Sequence, residues 1–168
     1  MDWWVYLLTI IAAFIAVLTA LRVSSQRINA AFRNKNVLLV TAHPDDECMF
    51  FTPMLTALQH ANLHILCLST GNADGLGEKR VNELIKSAAV FGIPANRTWC
   101  VDDPRLQDGM KQHWDTNAIV SHVTRAVDAF RIDFIITFDD YGISGHPNHI
   151  SVAHACRYIL CIGDWITC

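Results

Sequence analysis

The sequence predicts an α/β domain with a mainly parallel sheet, preceded by one transmembrane helix. Three observations carry this reading. An uncharged apolar run of bilayer length stands at the N-terminus, and short apolar runs alternate with helix-period segments after residue 36. The 168 residues suit one domain plus an appendage, not two domains. The boundaries follow as 1–22 for the membrane anchor, 23–35 for a basic linker, 36–161 for the α/β domain and 162–168 for an atypical tail.

The chain is 52% hydrophobic and 17% charged, and much of the excess lies in Trp3 to Leu21, WWVYLLTIIAAFIAVLTAL. A helix of that length covers roughly 28 Å, close to the hydrocarbon thickness of a bilayer. Trp3, Trp4 and Tyr6 sit at one end, where amphipathic rings favour the headgroup layer. A cleavable signal peptide would carry a positive leading region, but only Met1 and Asp2 precede the run. A buried core helix would show one polar face, and none is present. Arg22, Arg27, Arg33 and Lys35 follow the span with no acid among them, so the positive-inside rule keeps this flank cytosolic. The six cysteines then lie in a reducing compartment and form no CxxC pair. In that topology the Asn96-Arg97-Thr98 sequon goes unused. From Asn36 onward nine Lys or Arg face fifteen Asp or Glu, a net of −6 without a basic stripe, which excludes nucleic acid as partner.

Val37–Ala42 is a continuous apolar run, as a strand buried on both faces requires. A helix is expected from about Asp46 to Ala61, with Pro53 marking a kink or break. His64–Ser69 reads as the second strand and Thr70–Gly77 as a glycine-bearing loop. Glu78–Phe91 is an amphipathic helix closed by Gly92 and Pro94. Thr98–Val101 is a short strand and Asp103–His113 an irregular loop. Asp115 or Thr116 caps a helix running to about Phe130. Asp133–Phe138 is the fourth strand, and a helix begins near Pro147. This alternation describes a three-layer, Rossmann-like arrangement, in which ligands bind beyond the carboxyl ends of the strands.

Two segments with chemical potential occupy that edge. The first is Ala42-His43-Pro44-Asp45-Asp46-Glu47. His43 and Asp46 are spaced i, i+3 at a helix start, and imidazole and carboxylate are both good zinc ligands. Asp45 points elsewhere and is free to accept a proton. Helix capping explains one or two of these acids, but three together call for a nearby cation. The second is Gly142-Ile-Ser-Gly-His146-Pro147-Asn148-His149. Pro147 suits the first position of a helix, which makes His146 its cap and places His149 in the first turn. His149 supplies a third ligand and His146 a spare imidazole. Three protein ligands with one open position is the catalytic arrangement of zinc.

These motifs resemble the family of zinc-dependent de-N-acetylases acting on N-acetylglucosamine conjugates. AHPDDE at 42–47 and GHPNH at 145–149 correspond to its two signatures. Within it the eukaryotic glycolipid branch is the nearer likeness, through Gly71-Asn72, Arg80 to Leu84, the run from Phe138, and Ser144 where bacterial members can carry tyrosine. The resemblance implies zinc, or another divalent ion, on His43, Asp46 and His149. It makes Asp45 the general base, with His146 assisting at the tetrahedral centre, for instance as a protonated oxyanion partner. The implied substrate is N-acetylglucosaminyl-phosphatidylinositol, in GPI-anchor biosynthesis at the cytosolic face of the endoplasmic reticulum membrane. Asn72 and Arg80 can bind its phosphate or sugar hydroxyls, although Arg80 can equally pair with Glu83. Asp139 and Asp140 can orient a ligand histidine or simply cap a turn. Family members run further beyond the second motif, so the chain resembles a truncated form. A catalytically weak zinc- or partner-binding fragment is the alternative. An aspartate-nucleophile phosphatase needs alternate aspartates, and a serine hydrolase needs a GxSxG elbow; neither pattern is present.

Overall fold

The computed structural model describes residues 3–162, so all but the first residue of the expected tail lies outside the described residues. Helix α1 (Trp3–Phe32) is one uninterrupted element. It is long and apolar enough to cross a membrane, with a mean hydropathy of 2.4 over its most apolar stretch, none of it buried in the protein. The helix also runs through residues 23–32, most of the stretch expected as a linker. Nothing in RVSSQRINAAF breaks a helix until Asn34, which takes a left-handed φ of 61° while Lys35 N–H closes the turn on the Phe32 carbonyl.

Strands β1 (Asn36–Thr41), β2 (Asn62–Cys67), β3 (Thr98–Cys100) and β4 (Phe134–Ile136) form one parallel sheet in the order β3-β2-β1-β4. β1 pairs with β2 from Asn36↔Asn62 to Thr41↔Cys67, and with β4 from Val37↔Phe134 to Leu39↔Ile136. It is buried from its second residue onward, as its unbroken apolar run requires. The expected single helix at 46–61 is instead two: α2 (Asp46–Met49) and α3 (Thr52–Ala57). Pro53 sits in the first turn of α3, where its missing N–H costs nothing, and the chain breaks at Phe50–Phe51.

Helices α4 (Gly77–Val90), α5 (Thr116–Phe130) and α7 (Pro147–Ile162) complete the layers, with the four-residue α6 (Gly142–Gly145) ahead of α7. Asp115 caps α5 by accepting from Asn117 N–H. α5 packs on α7, and both touch β1, while α2 packs against α3 and α4. Right-handed crossovers on either side of β1 put these two sets on opposite faces. Strand order reverses at β1. Its loop and the loop after β4 therefore diverge around a crevice, the topological switch point where such sheets bind ligands.

Candidate metal centre and active site

β1 delivers Ala42 and His43 to this crevice, and their backbone N–H groups donate to Asp46 Oδ2 at 3.0 and 2.8 Å. That fixes the carboxylate and leaves Oδ1 facing His149 Nε2 at 3.2 Å. His149 comes from the first turn of α7. Its Nδ1 lies 3.1 Å from the Gly142 carbonyl, which holds the Nδ1–H tautomer and frees Nε2 as a ligand. His43 Nδ1 lies 3.3 Å from His149 Nε2 and 3.8 Å from Asp46 Oδ2. Bonds of about 2.0–2.1 Å in tetrahedral geometry place ligand atoms roughly 3.3 Å apart. The three side chains, all buried, thus form a group with the spacing to hold a metal ion.

Gly142 makes this possible. At φ 65°, a Cβ there would lie 2.9 Å from both His149 Cβ and Ile150 N. Phe138 stacks flat on the His149 ring, centroids 4.1 Å apart, and gives the site an apolar wall. Burial opposes charge on His149, but the adjacent Asp46 carboxylate outweighs it and raises its pKa above the usual histidine value.

The three consecutive acids divide their work. Asp46 faces the two histidines, and Glu47, buried, accepts Asp45 N–H at 3.0 Å. That bond steadies Asp45 at φ 125°, a conformation that L side chains rarely adopt and that clusters at functional sites. The Asp45 carboxylate is half exposed at the cleft, 2.9 Å from Arg80 Nη2. Desolvation raises its pKa against the opposing pull of Arg80.

His146 ends α6 and caps α7, its Nδ1 accepting Asn148 N–H at 3.2 Å. Burial and the neighbouring His43 and His149 lower its pKa. Both features favour a neutral ring with Nε2–H as donor, where the sequence offered a protonated imidazole as one option. Its ring centroid is 4.8 Å from that of His43 and 4.9 Å from that of His149.

Arg80 does not pair with Glu83, which takes Lys79 instead. Its guanidinium bonds the carbonyls of Gly71 at 2.7 Å and Pro44 at 2.9 Å, besides Asp45. Asn72 Oδ1 accepts Gly77 N–H at the start of α4, and the residue lines a cavity of about 590 Å³ with Thr70 and Gly75. Asp139 and Asp140 touch no histidine among the described residues. Asp139 caps the turn at Ile143 N–H and Asp140 pairs with Arg157, because the chain reverses at Gly142 and carries both carboxylates outward.

Two participants escaped sequence reasoning. Asp108, in the loop taken as irregular, lies 3.0 Å from His43 Nε2 and 3.6 Å from Arg80 Nη1. Asn148 is fully buried, with Oδ1 3.1 Å from His43 Nε2. It also accepts Gly109 N–H and donates to the Gln112 carbonyl, tying that loop to α7. The signals were present: Asp108 follows a strand's carboxyl end, and Asn148 stands inside a quoted motif. Trp114 packs the same loop through its bond to the Gln107 carbonyl and stands edge-on to His43.

Fold and ligand group together define a three-layer α/β protein with a candidate metal centre at the switch point of its sheet. Sequence comparison then places it: the chain belongs to the PIG-L family, GlcNAc-PI de-N-acetylase, whose model matches residues 38–160. A probable N-acetylglucosaminyl-phosphatidylinositol de-N-acetylase of Schizosaccharomyces pombe is 44% identical over 85% of this chain and 58% of its own length. The N-acetylglucosaminyl-phosphatidylinositol de-N-acetylase of Bos taurus is 39% identical over 71% of this chain and 48% of its own. The chain thus spans roughly half the length of the curated relatives it matches. Among solved structures, N,N'-diacetylchitobiose deacetylase from Pyrococcus horikoshii aligns with a TM-score of 0.63 at 16% identity, over 76% of this chain and 49% of that one. GalB, a 4-carboxy-2-hydroxymuconate hydratase from Pseudomonas putida, aligns at 0.52 with 18% identity, over 74% and 56%. A hydratase on the same scaffold shows that the fold alone does not decide the reaction.

Proposed function

We propose that the chain hydrolyses the N-acetyl group of N-acetylglucosaminyl-phosphatidylinositol, releasing acetate and leaving the amine on the sugar. The observation that carries this is the His43–Asp46–His149 group, at metal-ligand spacing, with the Asp45 carboxylate beside it. Its nitrogen and oxygen donors suit zinc. A divalent ion there supplies Lewis acidity and lowers the pKa of water. Asp45 takes the proton of the attacking water, and its raised pKa suits it to return that proton to the leaving amine. His146 donates from Nε2 to the oxygen on which negative charge develops. Arg80 braces Asp45, and its positive charge at the cleft suits it to a substrate phosphate. α1 anchors the domain in the endoplasmic reticulum membrane, single-pass with the domain cytosolic, as the Arg22–Lys35 cluster favours. Tethering raises the effective concentration of a substrate confined to that membrane.

Acetate release by the purified full chain tests this. Release that is abolished by chelator, restored by zinc and lost in Asp45→Asn is the expected result. The second reading is a metal-holding chain without turnover, for which the buried His43–Asp46–His149 group is sufficient. One equivalent of zinc with no acetate released establishes that reading instead.

A further inference from the structure

Seven large apolar side chains beyond residue 36 are strongly exposed among the described residues. Five of them stand in the connections that follow the strands: Leu76, Met110 and Tyr141 in loops, Met49 at the end of the four-residue α2 and Ile143 within the four-residue α6. Each of the four strands contributes at least one. They therefore stand around the same edge of the sheet as the metal group, and Met110 and Tyr141 are each 69% exposed. Apolar groups so placed are uncommon on a surface with no partner to cover them. Ile143 adds an independent sign: a β-branched residue at φ 53°, held there by Asp139 and Gly142 while its side chain stays in the open.

We propose that this rim rests in the headgroup layer of a zwitterionic lipid bilayer, so that the metal-site cleft opens onto the membrane surface. The proposal rests on the membrane attachment put forward above and goes beyond it, since an anchor alone says nothing about which face meets the lipid. Three features select this occupant. Methionine, leucine, isoleucine and tyrosine are the uncharged and amphipathic groups that enter a bilayer interface. The domain's net charge of −6, with Asp139 and Asp140 beside Tyr141, disfavours an anionic surface. The reach is sufficient as well. Residues 22–32 of α1 extend about 16 Å beyond the apolar span, comparable to the ~20 Å rise of β1. Near its C-terminal end the helix meets α3, which belongs to the β1–β2 connection.

The full chain in phosphatidylcholine nanodiscs, with and without dibrominated lipid, tests this through tryptophan fluorescence. Met110→Trp and Tyr141→Trp place reporters on the rim, and Val90→Trp places one at the far end of α4. Emission is read as the difference from the parent chain, whose five tryptophans set the baseline, and the difference between the parent and a Trp3→Phe, Trp4→Phe variant isolates the signal of α1. The expected result is blue-shifted, bromine-quenched added emission at 110 and 141 and none at 90, unchanged by raised salt. Unquenched rim reporters with quenched Trp3 and Trp4 overturn the proposal and leave the anchor standing; that outcome means that water or polypeptide covers the rim. Unquenched Trp3 and Trp4 overturn the attachment itself, and the rim's contact with lipid falls with it. None of these outcomes depends on catalysis.

Discussion

Replacing Asn148 by alanine isolates the buried amide that couples the loop at 107–112 to the metal group. The side chain is wholly buried and joins three segments through His43 Nε2, Gly109 N–H and the Gln112 carbonyl. Each bond contributes about 1 kcal/mol, and stranding the buried partners adds to the loss, so the chain should be destabilised by about 2–4 kcal/mol. For a protein of this size that corresponds to a fall in Tm of roughly 4–16 °C. Losing the partner that orients a ligand histidine typically weakens metal binding about 10–100-fold. Asp108 Oδ1, 3.0 Å from the same nitrogen, still restrains the ring, so the loss should lie near the lower figure. Thermal unfolding of the metal-free chain and zinc titration against a competing chelator measure the two effects separately. Asn148→Asp keeps the acceptor for His43 but not the donor to Gln112, so zinc affinity should recover while Tm recovers only in part. If Asn148→Ala melts with the parent and binds zinc as tightly, the coupling assigned to this amide is wrong.

Gly142→Ala should cost about 1–2 kcal/mol from the left-handed backbone alone and weaken zinc binding further, because the new methyl group displaces His149. Calorimetry and metal titration check it, and parent-like values refute it. Zinc affinity should fall as pH is lowered through the raised pKa of His149, since below it the proton occupies the nitrogen that the metal needs. Titration at a series of pH values reads this, with the midpoint of the loss above the ordinary histidine value. The acid limb of kcat/KM should lie above the ordinary aspartate value, because the proposed base works only when ionised and burial raises the pKa of Asp45. Asp45→Asn should lower kcat by about 10²–10⁴-fold with zinc content unchanged. Parallel loss of metal would place Asp45 among the ligands instead.

Much of the fold was legible because the buried parallel strands announce themselves as uninterrupted apolar runs. Val37–Ala42 needed no partner to be recognised, and Gly92 and Asp115 marked their helix ends by local chemistry alone. The break at Phe50–Phe51 was less visible, since Pro53 is compatible with either a kink or a fresh start and only packing decides. Of the site, the histidines and aspartates inside two contiguous motifs were legible, because short i, i+3 spacings convert directly into geometry, whereas Asn148 in the second motif was passed over. Asp108 was not, because its loop has no periodicity and its partners are 65 and 28 residues away in sequence. Arg80 was half legible: its helix suggested Glu83, but the left-handed Gly71 removed the Cβ that would have blocked its path to the cleft. Asp139 and Asp140 misled for the opposite reason, being close to the motif in sequence and turned away from it in space.

The metal group and the means of turnover need not stand or fall together in this chain. Every atom of the ligand group, and each bond that orients it, comes from residues 42–149. Among the described residues β4 is a three-residue edge strand whose side chains are all half buried. Metal binding depends on distances fixed by β1, the first turn of α7 and Gly142. The proposed catalysis asks more, since Asp45 and His146 must also meet a substrate. The separation has a measurable form. Zinc should raise Tm in the parent chain and in Asp45→Asn alike, by an amount that grows with free zinc as mass action requires, whether or not acetate is released. A chain that released acetate but gained no stability from zinc would break the link between ligand geometry and mechanism on which the functional reading depends.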